Sequence, residues 1–174
     1  MRVVAGEYRG RRLKAPAGRS TRPTADRVRE ALFNILRDVR GAVVLDLYAG
    51  SGALGIEALS RGAATATFVD DDERAVAAVR ANLESLGTIG RVVRSDTLAF
   101  LERTRGAAYD LVFLDPPYDS AAELGTGLSE LLPEAVAQDA VIVTESDKRS
   151  PLHLTLPLAD ERTYGDTRIA IHRG

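Results

Sequence analysis

Asp46-Leu-Tyr-Ala-Gly50-Ser-Gly52-Ala-Leu-Gly55 begins inside the apolar run Ala42–Leu47 and leads into a helical pattern over Ala53–Ser60. A continuous apolar run with a single acid near its end is the signature of a strand covered on both faces. Glycines after such a strand let the backbone approach a ligand closely, and the helix N-terminus behind them offers unpaired N–H groups. Gly50-x-Gly52-x-x-Gly55 matches the dinucleotide fingerprint in form. Asp70 stands 20 residues beyond Gly50, at the end of the next expected strand, where a carboxylate can accept from both hydroxyls of a ribose. Alone, these residues suit a nicotinamide dinucleotide or another adenosine-bearing cofactor.

Outward from this loop the pattern keeps alternating. Strands are expected at Ala64–Val69, Arg91–Arg94, Tyr109–Leu114 and Ala140–Thr144, and helices at Asp72–Leu86 (closed by Gly87), Thr97–Arg103 and Ala121–Leu132. Leu152–Leu156 and Thr167–His172 read as two more strands with no helix between them. The expected fold is therefore α/β: a Rossmann-like, seven-stranded, mostly parallel sheet with an antiparallel C-terminal strand. Before it, Arg2–Lys14 reads as a short hairpin around Gly6 and Gly10. A loop rich in Pro, Gly, Ser and Thr follows, and then a helix capped by Thr24, with an apolar stripe of Val28, Leu32 and Ile35 running to about Arg37. Two units are expected, a basic N-terminal arm over 1–40 and a catalytic domain over 41–174.

Composition removes several function classes. The 174 residues include no cysteine, which excludes disulfide scaffolds, thiolate metal sites and cysteine nucleophiles. His153 and His172 lack metal-ligand spacing, so no metal is expected. No apolar stretch approaches membrane-spanning length, and the first residues are Arg-rich, so the reading is a cytoplasmic protein with no membrane partner. Its size suggests a monomer. Charge is distributed unevenly: residues 1–40 hold eleven Arg/Lys against four Asp/Glu, while the remainder holds twelve against twenty-one. A basic arm on an acidic body points to a polyanion, and Arg22, Arg27 and Arg29, which flank the first helix, could meet phosphate.

Two carboxylates favour S-adenosyl-L-methionine over a dinucleotide. Asp46 would repel a pyrophosphate but suits the ammonium of a methionine moiety, and Asp96, after the third strand, can accept from the exocyclic amine of adenine. The plainer reading of both is helix capping. Asp115-Pro116-Pro117-Tyr118 then follows the fourth strand directly, at the sheet edge where ligands bind in open α/β folds. Consecutive prolines stiffen that loop. The tetrad suits methylation of an amine conjugated to a base, a poor nucleophile because its lone pair is delocalised. Asp115 and the Pro116 carbonyl can accept from the NH₂ group and localise that lone pair, while Tyr118 offers a face for stacking.

The Asp46–Gly62 segment, the Asp115–Tyr118 tetrad and the arm Arg22-Pro-Thr-Ala-Asp-Arg-Val-Arg-Glu-Ala-Leu-Phe-Asn34 together resemble the RsmD family of 16S rRNA guanine-N2 methyltransferases. The resemblance spans nearly the whole chain. It implies S-adenosyl-L-methionine held by Asp46, Tyr48, Gly50, Gly52, Asp70 and Asp96, with the target base at Asp115, Pro116 and Tyr118. As partner it implies 16S rRNA in the 30S subunit or its assembly intermediate. Tyr48 replaces a common Phe, and Asp70 a common Glu. Arg9, Arg11, Arg12, Arg22 and Arg27 are candidate RNA contacts. An amino group within a base pair is inaccessible, so an unstacked guanine in an RNA loop is expected.

Rival readings keep part of this pattern. A 23S rRNA guanine, DNA adenine-N6 or a protein glutamine amide would use the same chemistry. DNA enzymes usually carry a recognition domain for which there is no room here, and glutamine methylases typically have Asn at the place of Asp115. An NAD-dependent oxidoreductase leaves Asp46 and the tetrad idle, and a non-catalytic assembly factor has no need of Asp115. No residue pattern here separates guanine N2 from adenine N6.

Overall fold

The structure, a computed structural model, describes residues 1–17, 24–116 and 121–174. The elements run α1 (Thr24–Leu36), β1 (Val43–Leu47), α2 (Ala53–Ser60), β2 (Thr65–Asp70), α3 (Glu73–Leu86), β3 (Arg91–Arg94), α4 (Thr97–Arg103), β4 (Tyr109–Leu114), α5 (Ala121–Leu131), a 3₁₀ turn (Leu132–Glu134), β5 (Val136–Asp147), β6 (Leu158–Tyr164) and β7 (Thr167–Arg173). The seven strands form one sheet in the order β3-β2-β1-β4-β5-β7-β6. The first five are parallel, and β7 runs antiparallel to both of its neighbours. This is the expected architecture. Strand order reverses between β1 and β4, so a crevice opens there at the carboxyl ends of the strands.

Local chemistry accounts for the element ends. Asp72 caps α3 by accepting from the Arg74 N–H at 2.8 Å. At the other end Gly87 turns left-handed while its N–H and that of Thr88 return to Glu84 and Leu83, a Schellman closure. Arg37 ends α1 at φ 61°; the side chain of Thr24, expected to cap it, lies outside the described residues. The central strands bury both faces. Val44, Phe113 and Val143 face α1 and α2 with Phe33, Ile56 and Phe68. Leu45, Leu47, Val112, Leu114 and Ile142 face the opposite layer with Phe100, Leu101 and Leu128.

One expected strand is misplaced. Leu152–Leu156 is irregular, and the edge strand lies at Leu158–Tyr164 instead. The apolar alternation that suggested a strand packs Leu152, Leu154 and Leu156 onto the α5 layer. Its backbone bonds go to side chains: the Thr155 N–H donates to Ser129 Oγ at 3.0 Å, and the Leu156 carbonyl meets His172 Nδ1 at 3.1 Å. β6 is mostly exposed and carries Asp160, Glu161 and Arg162, charges that discourage pairing at a sheet edge.

The N-terminal arm is built into this body. Arg2 and Arg12 pair as an antiparallel bridge, and Val3, Leu13, Val28, Leu32 and Phe33 share a core cluster with the central strands. Glu57 on α2, 0% exposed, organises the junction. Its carboxylate accepts from the N–H groups of Val4 (2.7 Å) and Ala5 (3.0 Å) and from Arg61 Nε (2.8 Å), and Arg29 Nε lies 3.6 Å away. Gly6 leaves room for the approach, because a Cβ there would sit 1.8 Å from the Ser60 carbonyl oxygen. Glu57→Ala should cost about 3–5 kcal/mol in chemical denaturation, since it leaves two part-buried amides without their acceptor and takes the buried carboxylate away from Arg61 and Arg29. A loss below about 1 kcal/mol, the range of an exposed pair, would contradict this role.

Candidate active site

The sheet register sets the site. Asp46 pairs with Phe113 and Leu47 with Leu114, so Asp115 follows β4 beside the end of β1, and Asp70 closes β2 on the other side. The turn after β1 is left-handed at Tyr48 (φ 59°), Gly50 (φ 57°) and Gly52 (φ 76°), the last being the N-cap of α2. A Cβ on Gly50 would meet nothing nearer than the Tyr48 carbonyl oxygen at 3.9 Å, so the loop presents bare backbone to open space. Gly55 serves packing instead: a Cβ there would come within 2.4 Å of Phe68.

Carboxylates hold this loop by its amides. Asp70 Oδ2 accepts from the Gly50 N–H at 2.8 Å, and its Oδ1 from the Asp72 N–H at 3.0 Å. Asp46, fully buried, accepts from the Gly55 N–H at 2.9 Å through Oδ2. Asp96 Oδ1 caps α4 through the Ala99 N–H at 2.9 Å. Capping geometry is thus present at both Asp46 and Asp96, and it coexists with a place at the ligand edge for Asp46. Burial pushes the Asp46 carboxyl up to about 7, against the pull of the Gly55 N–H and with added repulsion from Asp70. Burial likewise raises the Tyr48 phenol, opposed by a hydrogen bond with Thr97 and aided by the charges of Asp96, Asp71 and Asp70.

A cavity of about 170 Å³ gathers Asp46, Tyr48, Gly50 and Asp115 under one wall, with Met1, Arg29 and Leu32 from the arm and Glu145 from β5 completing it. Asp70 joins through its bond to Gly50, whereas Asp96, at the start of α4, does not line the cavity itself but lies close enough to Tyr48 for its charge to act on the phenol. Pro116 is buried, and Tyr118 lies outside the described residues. Of the arm arginines, Arg9, Arg12 and Arg27 are exposed, Arg11 donates to the Ser85 carbonyl at 2.6 Å, and Arg22 lies outside the described residues. Arg29 does not face a phosphate. At 4% exposure it donates to Asp26 Oδ1 (2.8 Å) and to the Arg2 carbonyl, because the stripe of α1 turns it inward toward Glu57.

Three residues that sequence reasoning missed belong to this frame. Glu57 is the one charged residue in Ala53–Ser60, and Asn82 sits on the buried stripe of α3, bonding Lys14 and the Ser51 carbonyl. Glu145 lies within β5, directly after its apolar run Ala140–Thr144. A lone polar residue on an apolar face was the available signal for each.

Among known proteins, a family model described as Conserved hypothetical protein 95 matches residues 1–173. The "Putative rRNA methyltransferase YlbH" of Bacillus subtilis is 41% identical over 183 residues, covering 99% of this chain and 98% of that protein. "Ribosomal RNA small subunit methyltransferase D" of Escherichia coli K12 is 46% identical over 120 residues, covering 68% of this chain and 60% of that one. Of solved structures, the putative methyltransferase yhhF from E. coli superposes with TM-score 0.85 at 37% identity, covering 99% and 97% of the two chains. At fold level alone, the putative methyltransferase SMU.776, complexed with SAH, matches with TM-score 0.69 and 16% identity over 86% of this chain and 49% of that one. The chain therefore belongs to the Conserved hypothetical protein 95 family, the RsmD family that its glycine loop, tetrad and arm resemble.

Proposed function

We propose that this protein uses S-adenosyl-L-methionine to methylate the exocyclic N2 amine of a guanine in 16S rRNA of the small ribosomal subunit. The observation that carries the reading is the sharing of one cavity by the glycine loop, Asp46 and Asp115. The residues fit the cofactor: Gly50 opens bare backbone to the site, and the carboxylates lining the edge suit a molecule with an ammonium and a sulfonium. Asp46 takes the ammonium, directly or through water, Asp70 the ribose hydroxyls and Asp96 the adenine amine, with Tyr48 and Gly52 shaping the walls. When bound, the cofactor supplies a methyl group activated by positive sulfur. Asp115 and the Pro116 carbonyl accept from the target NH₂ and hold its nitrogen in line, and Tyr118 stacks on the base. Their contribution is positioning and exclusion of water.

Residues 1–40 serve as the RNA-facing arm and 41–174 as the catalytic domain. An rRNA substrate places the enzyme in the cytoplasm, acting as a monomer on the 30S subunit or its precursor. Arg9, Arg11, Arg12 and Arg27, on the exposed side of the arm whose other side is core, contact phosphate, and Arg22 joins them. Replacing Arg9 or Arg12 by Gln should weaken RNA binding and lower its salt slope by about one for each phosphate no longer neutralised; an unchanged slope would remove the arm from the interface.

The function itself is tested with labelled S-adenosyl-L-methionine and four substrates: unmodified 30S subunits, naked 16S rRNA, 50S subunits and unmethylated DNA. N2-methylguanosine from the small-subunit samples, abolished by Asp115→Ala, is the expected product. Label in adenine, in DNA or in 50S rRNA would overturn the substrate assignment.

Cofactor binding should be linked to protons through Asp46. The bound ammonium requires an ionised carboxylate, so affinity should fall about tenfold per pH unit below pH 7 and level off above it. Calorimetric titration with S-adenosyl-L-methionine reads this, and a flat profile would contradict it. Stability has the opposite sign. A buried acid raised from 3.8 to about 7 penalises the fold increasingly from pH 4 upward, fully above pH 7. Asp46→Asn should therefore stabilise the free protein at pH 8, by on the order of 4 kcal/mol, with the gain fading toward pH 4 and cofactor affinity lost.

A further inference from the structure

Glu145 is the remaining carboxylate on the wall of the active-site cavity, and the strand register explains why it is there. Phe113 of β4 pairs with Val143 of β5, and both side chains lie on the face covered by α1 and α2. Because side chains alternate, the next positions on that same face are Asp115 and Glu145. Asp115, the first residue past β4, and Glu145, within β5, thus line the same cavity wall from neighbouring chain segments. They differ in how they are held. Asp115 opens the proline loop, whereas Glu145 remains inside β5, paired with Ile169 of β7. Thr144 and Ser146, the flanking residues, are buried on the opposite face, so Glu145 cannot turn away without breaking the sheet pattern.

We infer that Glu145 is a specificity-determining residue that accepts the N1–H of the target guanine while Asp115 accepts from its 2-amino group. The inference rests on the methylation function proposed above and supplies the base choice that residue patterns leave open. Guanine presents two neighbouring donors on its Watson–Crick edge, N1–H and N2–H₂, and a splayed-out base is read on that edge. Two carboxylates on neighbouring chain segments complement that pair of donors. Adenine placed with its 6-amino group at Asp115 would turn the N1 lone pair toward Glu145, an acceptor against an acceptor. Glu145 is half-buried and a base stacked in the site displaces water from it, so the mismatch goes unrelieved and a site built around a donor rejects an analogue lacking it.

The base 2,6-diaminopurine isolates this contact, since it keeps the 2-amino group and replaces the N1–H with a lone pair. The assay uses 30S subunits reconstituted with 16S rRNA carrying diaminopurine at the guanine where the wild-type product maps. Wild-type enzyme should methylate the guanine substrate with kcat/KM about 100-fold above the diaminopurine one. Glu145→Gln, whose amide both accepts and donates, should bring the ratio within about fivefold, and Glu145→Ala should do the same if the amide variant fails to fold. Equal wild-type rates on the two substrates would overturn the inference. So would a variant that slows both substrates while keeping the wild-type ratio, which is the mark of a structural role. A wild-type enzyme that leaves guanine unmodified in both small-subunit substrates overturns the function reading, and this inference with it.

Discussion

The buried carboxylate of Glu57 is the constraint on which the rest of this structure leans. An ionisable group with no solvent exposure must be surrounded by donors or expelled, and here the donors come from three separate places in the chain. Two are the amides of Val4 and Ala5, one is Arg61 on its own helix, and Arg29 of α1 stands beside them. Satisfying one carboxylate therefore fixes the hairpin, α1 and α2 relative to each other. Arg61 extends the junction by stacking on Phe33 at 4.7 Å, and Phe33 meets Phe113 of β4 at 5.7 Å. Arg29 and Met1 are thereby delivered to the cavity that contains Asp115. The arm is thus a wall of the candidate-site cavity as well as a charged surface.

The second organising feature is the row of acids at the carboxyl edge of the sheet: Asp70 on β2, Asp46 on β1, Asp115 just past β4 and Glu145 on β5. Like charges this close destabilise an empty site, and the fold offsets that in part by using them as acceptors for loop amides. Asp70 holds Gly50, and Asp46 holds Gly55. The offset is incomplete at Asp46, whose carboxyl is held near neutrality by burial. On the proposed function, a cationic ligand would relieve that repulsion, so the residues that weaken the free protein would favour a positively charged cofactor.

Much of this was legible in the sequence because the local chemistry and the global fold agree. The apolar runs that form β1 and β4 are buried on both faces, α3 and α4 begin at Asp72 and Asp96 and α3 ends at Gly87, close to the expected bounds, and Asp46, Gly50, Asp70 and Asp115 lie along one edge. Elsewhere the periodic signal misled. Leu152–Leu156 alternates like a strand, yet its leucines pack under α5, while the true edge strand reads as polar because almost nothing covers it. Arg29 looks like every other arginine of the arm until the stripe of α1 turns it inward. Glu57 and Glu145 depend on distant partners, Val4 on the one hand and Ile169 on the other, and pairings at that range leave no mark in local spacing.

The central claim is that one cavity brings the sulfur of the cofactor to the amine held by Asp115. A crystal structure of the protein with S-adenosylhomocysteine tests it most directly. The account predicts ribose hydroxyls on Asp70, the ammonium at Asp46 and the sulfur opening toward Asp115 and Glu145. A ligand whose sulfur faces away from Asp115, or whose ribose is held by another group, would contradict it.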